Sequence, residues 1–207
     1  IRSIRRPTII GGSPITIWAN IGAPSTTTMA IRINLEYVVA HNNRGNAYLA
    51  VGEHAQAIAD YDEAISLDPE NVAAFSNRGI AYHALGENER AIEDYDEVIR
   101  INPDYAAAYN NRGNAYNDLE QFQRAIDEYD EAIRLDPSDP DVYINRGNIL
   151  AGMEEYERAV EDYDHAIRID PNYPDAYHNR GIAYREKGDK AKAAADIAKA
   201  KELKAKK

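Results

Sequence analysis

The chain has 207 residues, no cysteine and a formal net charge of −11 at pH 7. Without cysteine there is no disulfide framework and no thiolate metal site, and an acidic body repels the phosphates of nucleic acid. No apolar run approaches the ~18 residues of a membrane span, so neither nucleic acid nor a membrane is an expected partner.

Residues 1–29 contain Pro7, Pro14 and Pro24 with Gly11, Gly12 and Gly22, which forbid a continuous helix. Ile9, Ile10, Ile15, Ile17 and Trp18 make the segment sticky when extended. It reads as a tag-like linker, or as an arm that lies across a neighbouring copy and joins a homo-oligomer. Ser3, Ile4, Arg5 and Arg6 have the form of a twin-arginine export signal, but prolines break the apolar region that should follow. A cytoplasmic chain is therefore expected ahead of an exported one. The first residue is Ile rather than Met, which also admits a longer gene product.

Residues 30–37, AIRINLEY, align with residues 98–105, VIRINPDY, with Leu35 in place of the proline. A half-repeat is expected here: the end of a second helix and its exit turn, capped by Thr26, Thr27 or Thr28, with Ile31 covering the first full unit.

From Val38 onward a pattern of 34 residues recurs without insertion, giving units 38–71, 72–105, 106–139, 140–173 and 174–207. Position 8 is Gly45, Gly79, Gly113, Gly147 and Gly181, and position 20 is Ala57, Ala91, Ala125, Ala159 and Ala193. Position 32 is Pro69, Pro103, Pro137 and Pro171, then Ala205. Within each unit the apolar positions follow helical spacing in two runs. Glycine and alanine let the two helices approach, and the proline stops the second one. A strict period of this size means one supersecondary unit stacked on copies of itself. The pattern resembles the tetratricopeptide repeat, a helix–turn–helix of 34 residues with small residues at positions 8, 20 and 27 and proline at 32. That resemblance implies an all-α fold, an α-solenoid wound as a right-handed superhelix. Position 7 departs from it, being arginine in every unit where the family has an apolar core residue.

The ends of the array differ from its middle. Positions 21 and 28 are Ile58 and Ile65, Ile92 and Ile99, Ile126 and Ile133, Val160 and Ile167, then Ala194 and Lys201. Such residues face the next unit, each contributing roughly 1.5–3 kcal/mol when fully buried, so the fifth unit reads as the closing one, with Lys207 at or near the natural end. Residues 1–37 and 185–207 are net basic, which leaves residues 38–184 at a net charge of −19.

His41, His54, His83, His165 and His178 occupy different repeat positions and form no metal spacing. Serine is scarce and no glycine-rich loop follows a strand, so no catalytic, metal or cofactor site is expected. The informative residues lie on the first helix of each unit. Position 6 is Asn43, Asn77, Asn111, Asn145 and Asn179, and three units add Asn46, Asn114 and Asn148 at position 9, on the same helical face. The resemblance implies that positions 2, 5, 6, 9, 12 and 13 line the concave groove. An amide offers one acceptor and two donors, so a ladder of them can hold an extended backbone whatever its sequence. It is similar to the asparagine ladder in the superhelix of the protein O-GlcNAc transferases. A structural bond between neighbouring helices is the equal alternative. The co-chaperone type of groove, which clamps a C-terminal carboxylate, does not fit: Asn46 with Asn77, or Asn114 with Asn145, match it, but its lysines at positions 5 and 2 are missing.

Arg44, Arg78, Arg112, Arg146 and Arg180 at position 7 need acidic partners if buried. Position 25 offers Asp62, Asp96, Asp130 and Asp164, then Ala198, which fits a bond to the arginine of the following unit. Position 23 (Asp60, Asp94, Glu128, Asp162, Asp196) fits a bond within one unit equally well. These pairs are read as structural. The whole is read as a non-enzymatic scaffold whose asparagine-lined groove binds an extended segment of a partner protein. The alternatives are a self-assembly module joined through its arm and charged ends, and the repeat region of a larger enzyme.

Overall fold

The structure, a computed structural model, describes residues 26–206, and their side chains from Asn34 onward. Among the described residues there are ten helices and no strand. They are α1 (Thr26–Ala50), α2 (His54–Leu67), α3 (Val72–Ala84), α4 (Asn88–Ile101), α5 (Ala106–Asp118), α6 (Phe122–Leu135), α7 (Pro140–Gly152), α8 (Tyr156–Ile169), α9 (Pro174–Glu186) and α10 (Lys190–Lys204). None of them is long and apolar enough to cross a membrane.

Each odd-numbered helix pairs with the next to form a hairpin, and the second helix of one hairpin packs on the first helix of the following one. Consecutive first helices also touch, whereas second helices do not touch one another. The stack therefore curves with α1, α3, α5, α7 and α9 on its inner side, and every contact is between neighbours, as in an α-solenoid.

The hairpins close on one repeated contact. Tyr61, Tyr95, Tyr129 and Tyr163 at position 24 are fully buried, and each ring lies over the glycine at position 8 of its own unit. A Cβ on Gly113 would stand 2.7 Å from Cε1 of Tyr129, so only glycine admits the ring. In the fifth unit Ile197 replaces the tyrosine, and a Cβ on Gly181 would be 3.1 Å from its Cγ1.

The turn inside each hairpin ends the first helix with a residue in the left-handed region. It is Gly52, Gly86 and Gly188 in three units, at φ 78, 76 and 87, but Glu120 and Glu154 in the other two, at φ 58 and 65. In the first turn Glu53 N–H donates to Tyr48 O at 2.9 Å and Gly52 N–H to Leu49 O at 3.1 Å, satisfying carbonyls that the helix leaves open. Between hairpins the residue before each proline folds its side chain back, as when Asp136 accepts from Ser138 N–H at 3.0 Å and Asp170 from Asn172 N–H at 2.9 Å.

The half-repeat expectation is corrected in one respect. Residues 30–37 sit inside α1, which runs unbroken to Ala50, so no exit turn forms there. Leu35 keeps the backbone N–H that proline lacks and brings no ring against the preceding turn, and the helix continues. Thr26, Thr27 and Thr28 occupy its first turn rather than a cap position. The arm expected over residues 1–29 lies outside the described residues up to residue 25, as does the side chain of Ile31. At the other end Ala194 and Lys201 are exposed.

Candidate peptide-binding groove

The inner surface is built by the first helices, and asparagines link them. Asn77 Nδ2 donates to Asn46 Oδ1 of the preceding unit at 2.9 Å, and Tyr61 OH donates to the same oxygen at 2.8 Å. The arrangement recurs at Asn114, which accepts from Asn145 Nδ2 at 3.2 Å and Tyr129 OH at 2.7 Å. It recurs again at Asn148, which accepts from Asn179 Nδ2 at 2.8 Å and Tyr163 OH at 2.9 Å. Asn145 also donates to Asn110 Oδ1 at 3.1 Å. Burial pushes the Tyr61 phenol up to about 12, and Tyr129 and Tyr163 are pushed up by the same cause, so these hydroxyls remain donors at neutral pH.

The ladder is therefore partly internal. At each junction the position 9 oxygen is saturated while its own two N–H groups make no hydrogen bond among the described residues, and the position 6 amide keeps its oxygen open, with one N–H also open at Asn77 and Asn179 but both used at Asn145. The junction between the second and third units is different. Ile80 occupies position 9 and is 36% exposed, so Asn111 faces no amide and makes no side-chain hydrogen bond among the described residues. Asn43, in the first unit, is exposed and meets no asparagine of a preceding helix among the described residues.

On the third and fourth units the groove deepens into a cavity of about 260 Å³ lined by Asn114, Asn145 and Asn148 together with Phe122, Ile149 and Met153. Phe122 and Met153 are 42% and 43% exposed. The cavity residues other than asparagine, and the tyrosine hydroxyls, escape a reading of the sequence by type. The signal that points to the tyrosines is their constant spacing of 15 residues from Asn46, Asn114 and Asn148.

Four of the five position 7 arginines bridge two acids each, one within the unit and one from the unit before. Arg78 donates from Nε and Nη2 to Asp94 at 3.0 and 2.6 Å and from Nη1 to Asp62 at 2.5 Å. Arg112 likewise bonds Glu128 and Asp96, Arg146 bonds Asp162 and Asp130, and Arg180 bonds Asp196 and Asp164. The two pairings that the acids at positions 23 and 25 left open thus coexist on one guanidinium. Among the described residues Arg44 bonds Asp60 alone, and its side chain is 62% exposed against 16% for Arg112. His41 adds a bond to Asp60 at 3.0 Å. The Arg44 hydrogen bond holds the Asp60 carboxyl below its ordinary range. Burial pushes the Asp94 and Glu128 carboxyls up, and their arginines only partly offset it.

A stack of helix hairpins closed by glycine–tyrosine contacts and joined by arginine and asparagine bridges defines a helical-repeat scaffold. The TPR repeat model matches residues 45–86, 81–119, 113–154 and 147–188, and the tetratricopeptide repeat model matches residues 174–207. The chain belongs to the tetratricopeptide repeat family. Two crystal structures of MamA are similar to it, at 31% and 30% identity, covering 78% and 83% of this chain and 95% and 93% of theirs, both with a TM-score of 0.72. YrrB, described as a TPR protein with an unusual peptide-binding site, is 25% identical over 86% of this chain and 92% of its own, with a TM-score of 0.66. No curated sequence matches.

Proposed function

We propose that the chain is a protein-interaction scaffold that holds an extended peptide segment along the asparagine-lined inner face. The observation that carries this reading is the set of amide groups left open there. Among the described residues Asn46, Asn114 and Asn148 keep both N–H donors, Asn77, Asn145 and Asn179 keep an acceptor, and Asn43 and Asn111 keep all their groups. Donors and acceptors at helix-to-helix spacing match a peptide backbone, which offers both at every residue. YrrB, of similar fold, is described as having a peptide-binding site, which supports a peptide as the kind of partner.

Asn111 separates binding from stability, because it makes no internal side-chain bond. Peptides selected from a random nonapeptide library against the wild-type chain are expected to bind Asn111→Ala about 3–10-fold more weakly, the loss of one hydrogen bond. The urea midpoint is expected to stay where it was. Unchanged affinity for every selected peptide, or an absence of any selected peptide, would overturn the reading.

A further inference from the structure

The junction of the third and fourth units carries three features that the amide ladder does not explain. One is the cavity of about 260 Å³, a size that suits one large side chain rather than a drug-sized ligand. Its apolar edges, Phe122 and Met153, are large side chains left in water, and Gly152 at position 13 keeps the floor open where other units have alanine, aspartate or glutamate. The second feature is the pair of turns beside it. Glu154 directly follows Met153, and Glu120 stands two residues before Phe122. Both adopt the left-handed backbone that the equivalent glycines adopt elsewhere, a conformation that disfavours any residue with a Cβ. The third is charge. Glu120 and Glu154 are exposed and make no side-chain hydrogen bond or ion pair among the described residues. The nearby Asp118, by contrast, is held by His83 at 3.0 Å.

We infer that this junction selects the bound segment: it takes one large apolar side chain into the Phe122–Met153 cavity and a lysine or arginine beside it onto Glu120 and Glu154. The inference rests on the groove reading above and names the class of segment that the groove prefers. The apolar side chain removes water from Phe122 and Met153 while the open amides of Asn145 and Asn148 hold the backbone on either side. A neighbouring cation meets two carboxylates that no other group among the described residues neutralises, within an acidic body. An acidic segment would place like charges together at the same point, so the junction both attracts and rejects.

Three labelled nonapeptides test this: a central phenylalanine between lysine pairs, the same phenylalanine between glutamate pairs, and a central serine between lysine pairs. In fluorescence anisotropy at 50 mM salt the first is expected to bind at least tenfold more tightly than either other. The double variant Glu120→Gly/Glu154→Gly keeps the turn, since glycine serves it in three units, and is expected to lose roughly fivefold for the first peptide, as two exposed ion pairs supply. Met153→Ala is expected to reduce the preference for phenylalanine over serine. Equal binding of the lysine and glutamate peptides, or of the phenylalanine and serine peptides, overturns the inference. If Asn111→Ala still weakens all three, the groove reading survives that failure; if it weakens none, both fall. Concentration-dependent mass that Met153→Ala abolishes would make a second copy the occupant and would also overturn it.

Discussion

Arg112 shows how a charged residue comes to stand in what the family makes an apolar position. Its guanidinium reaches Glu128 in its own unit and Asp96 in the unit before, with its side chain 16% exposed and the Tyr109 ring centroid 5.6 Å away. Removing the cation leaves Glu128 half-buried and unpaired, so Arg112→Met is expected to cost ~3 kcal/mol, the lower end for breaking a buried pair. Arg44→Met removes an exposed arginine with a single acidic partner and is expected to cost clearly less. Urea unfolding of the two variants side by side checks the order. The pH dependence separates the same sites. Asp60 has its folded value depressed, chiefly by Arg44. The unfolded chain therefore takes up that proton first on acidification, and the stability from this site, complete above the ordinary carboxylate range, is lost as pH falls through the folded value. Glu128 has its folded value raised by burial, so its linkage has the opposite sign, with acidification favouring the folded form across the interval between the two values. Melting temperatures followed from pH 6 to pH 3 are expected to fall less steeply in Asp60→Asn than in wild type, and more steeply in Glu128→Gln.

At the scale of the hairpin, the glycine at position 8 and the tyrosine at position 24 act as one device. The ring of Tyr129 is 1% exposed and hemmed in by both helices, so it has no free direction in which to yield. Gly113→Ala is expected to destabilise by ~1–3 kcal/mol, the usual cost of overpacking. Gly181→Ala meets the more distant Cγ1 of Ile197 at 3.1 Å and is expected to cost less. Thermal unfolding of both variants measures the difference, and equal losses would mean that the helix backbones rather than the ring set the spacing.

For the whole molecule, stability is approximately a sum over hairpins and the interfaces between neighbours, which makes the end faces decisive. The last hairpin exposes Ala194 and Lys201 where internal units carry branched apolar residues, of which Ile126 and Val160 are buried. Restoring the internal pattern with Ala194→Ile/Lys201→Ile creates an apolar face that none of the described helices covers. The double variant is expected to gain mass with concentration in light scattering, while Lys201→Ala alone does not. A double variant with the mass of the wild type would show that these two positions do not control that face.

The repeat, its period, the two helices per unit and the family were all legible in the sequence. They depend on residues whose backbone chemistry or size permits little else: glycine under a ring, alanine at a crossing, proline after a helix. The same local logic misplaced the end of the half-repeat, because whether a helix stops at Leu35 depends on what the backbone continues into, and α1 runs on to Ala50. Residue type placed Arg112 near acids at positions 23 and 25, but one guanidinium reaching across two units is a fact of how hairpins stack. So is the division of the asparagines: Asn77 and Asn145 bond to the preceding unit, whereas Asn111, with Ile80 at position 9 of the preceding unit, makes no side-chain bond among the described residues, although all three stand at one repeat position. The Phe122–Met153 cavity likewise exists only because residues of the third and fourth units line it together. A periodic sequence determines the unit, and only the packing of one unit on the next decides which copy of a repeated side chain is already bonded and which is left open to bind.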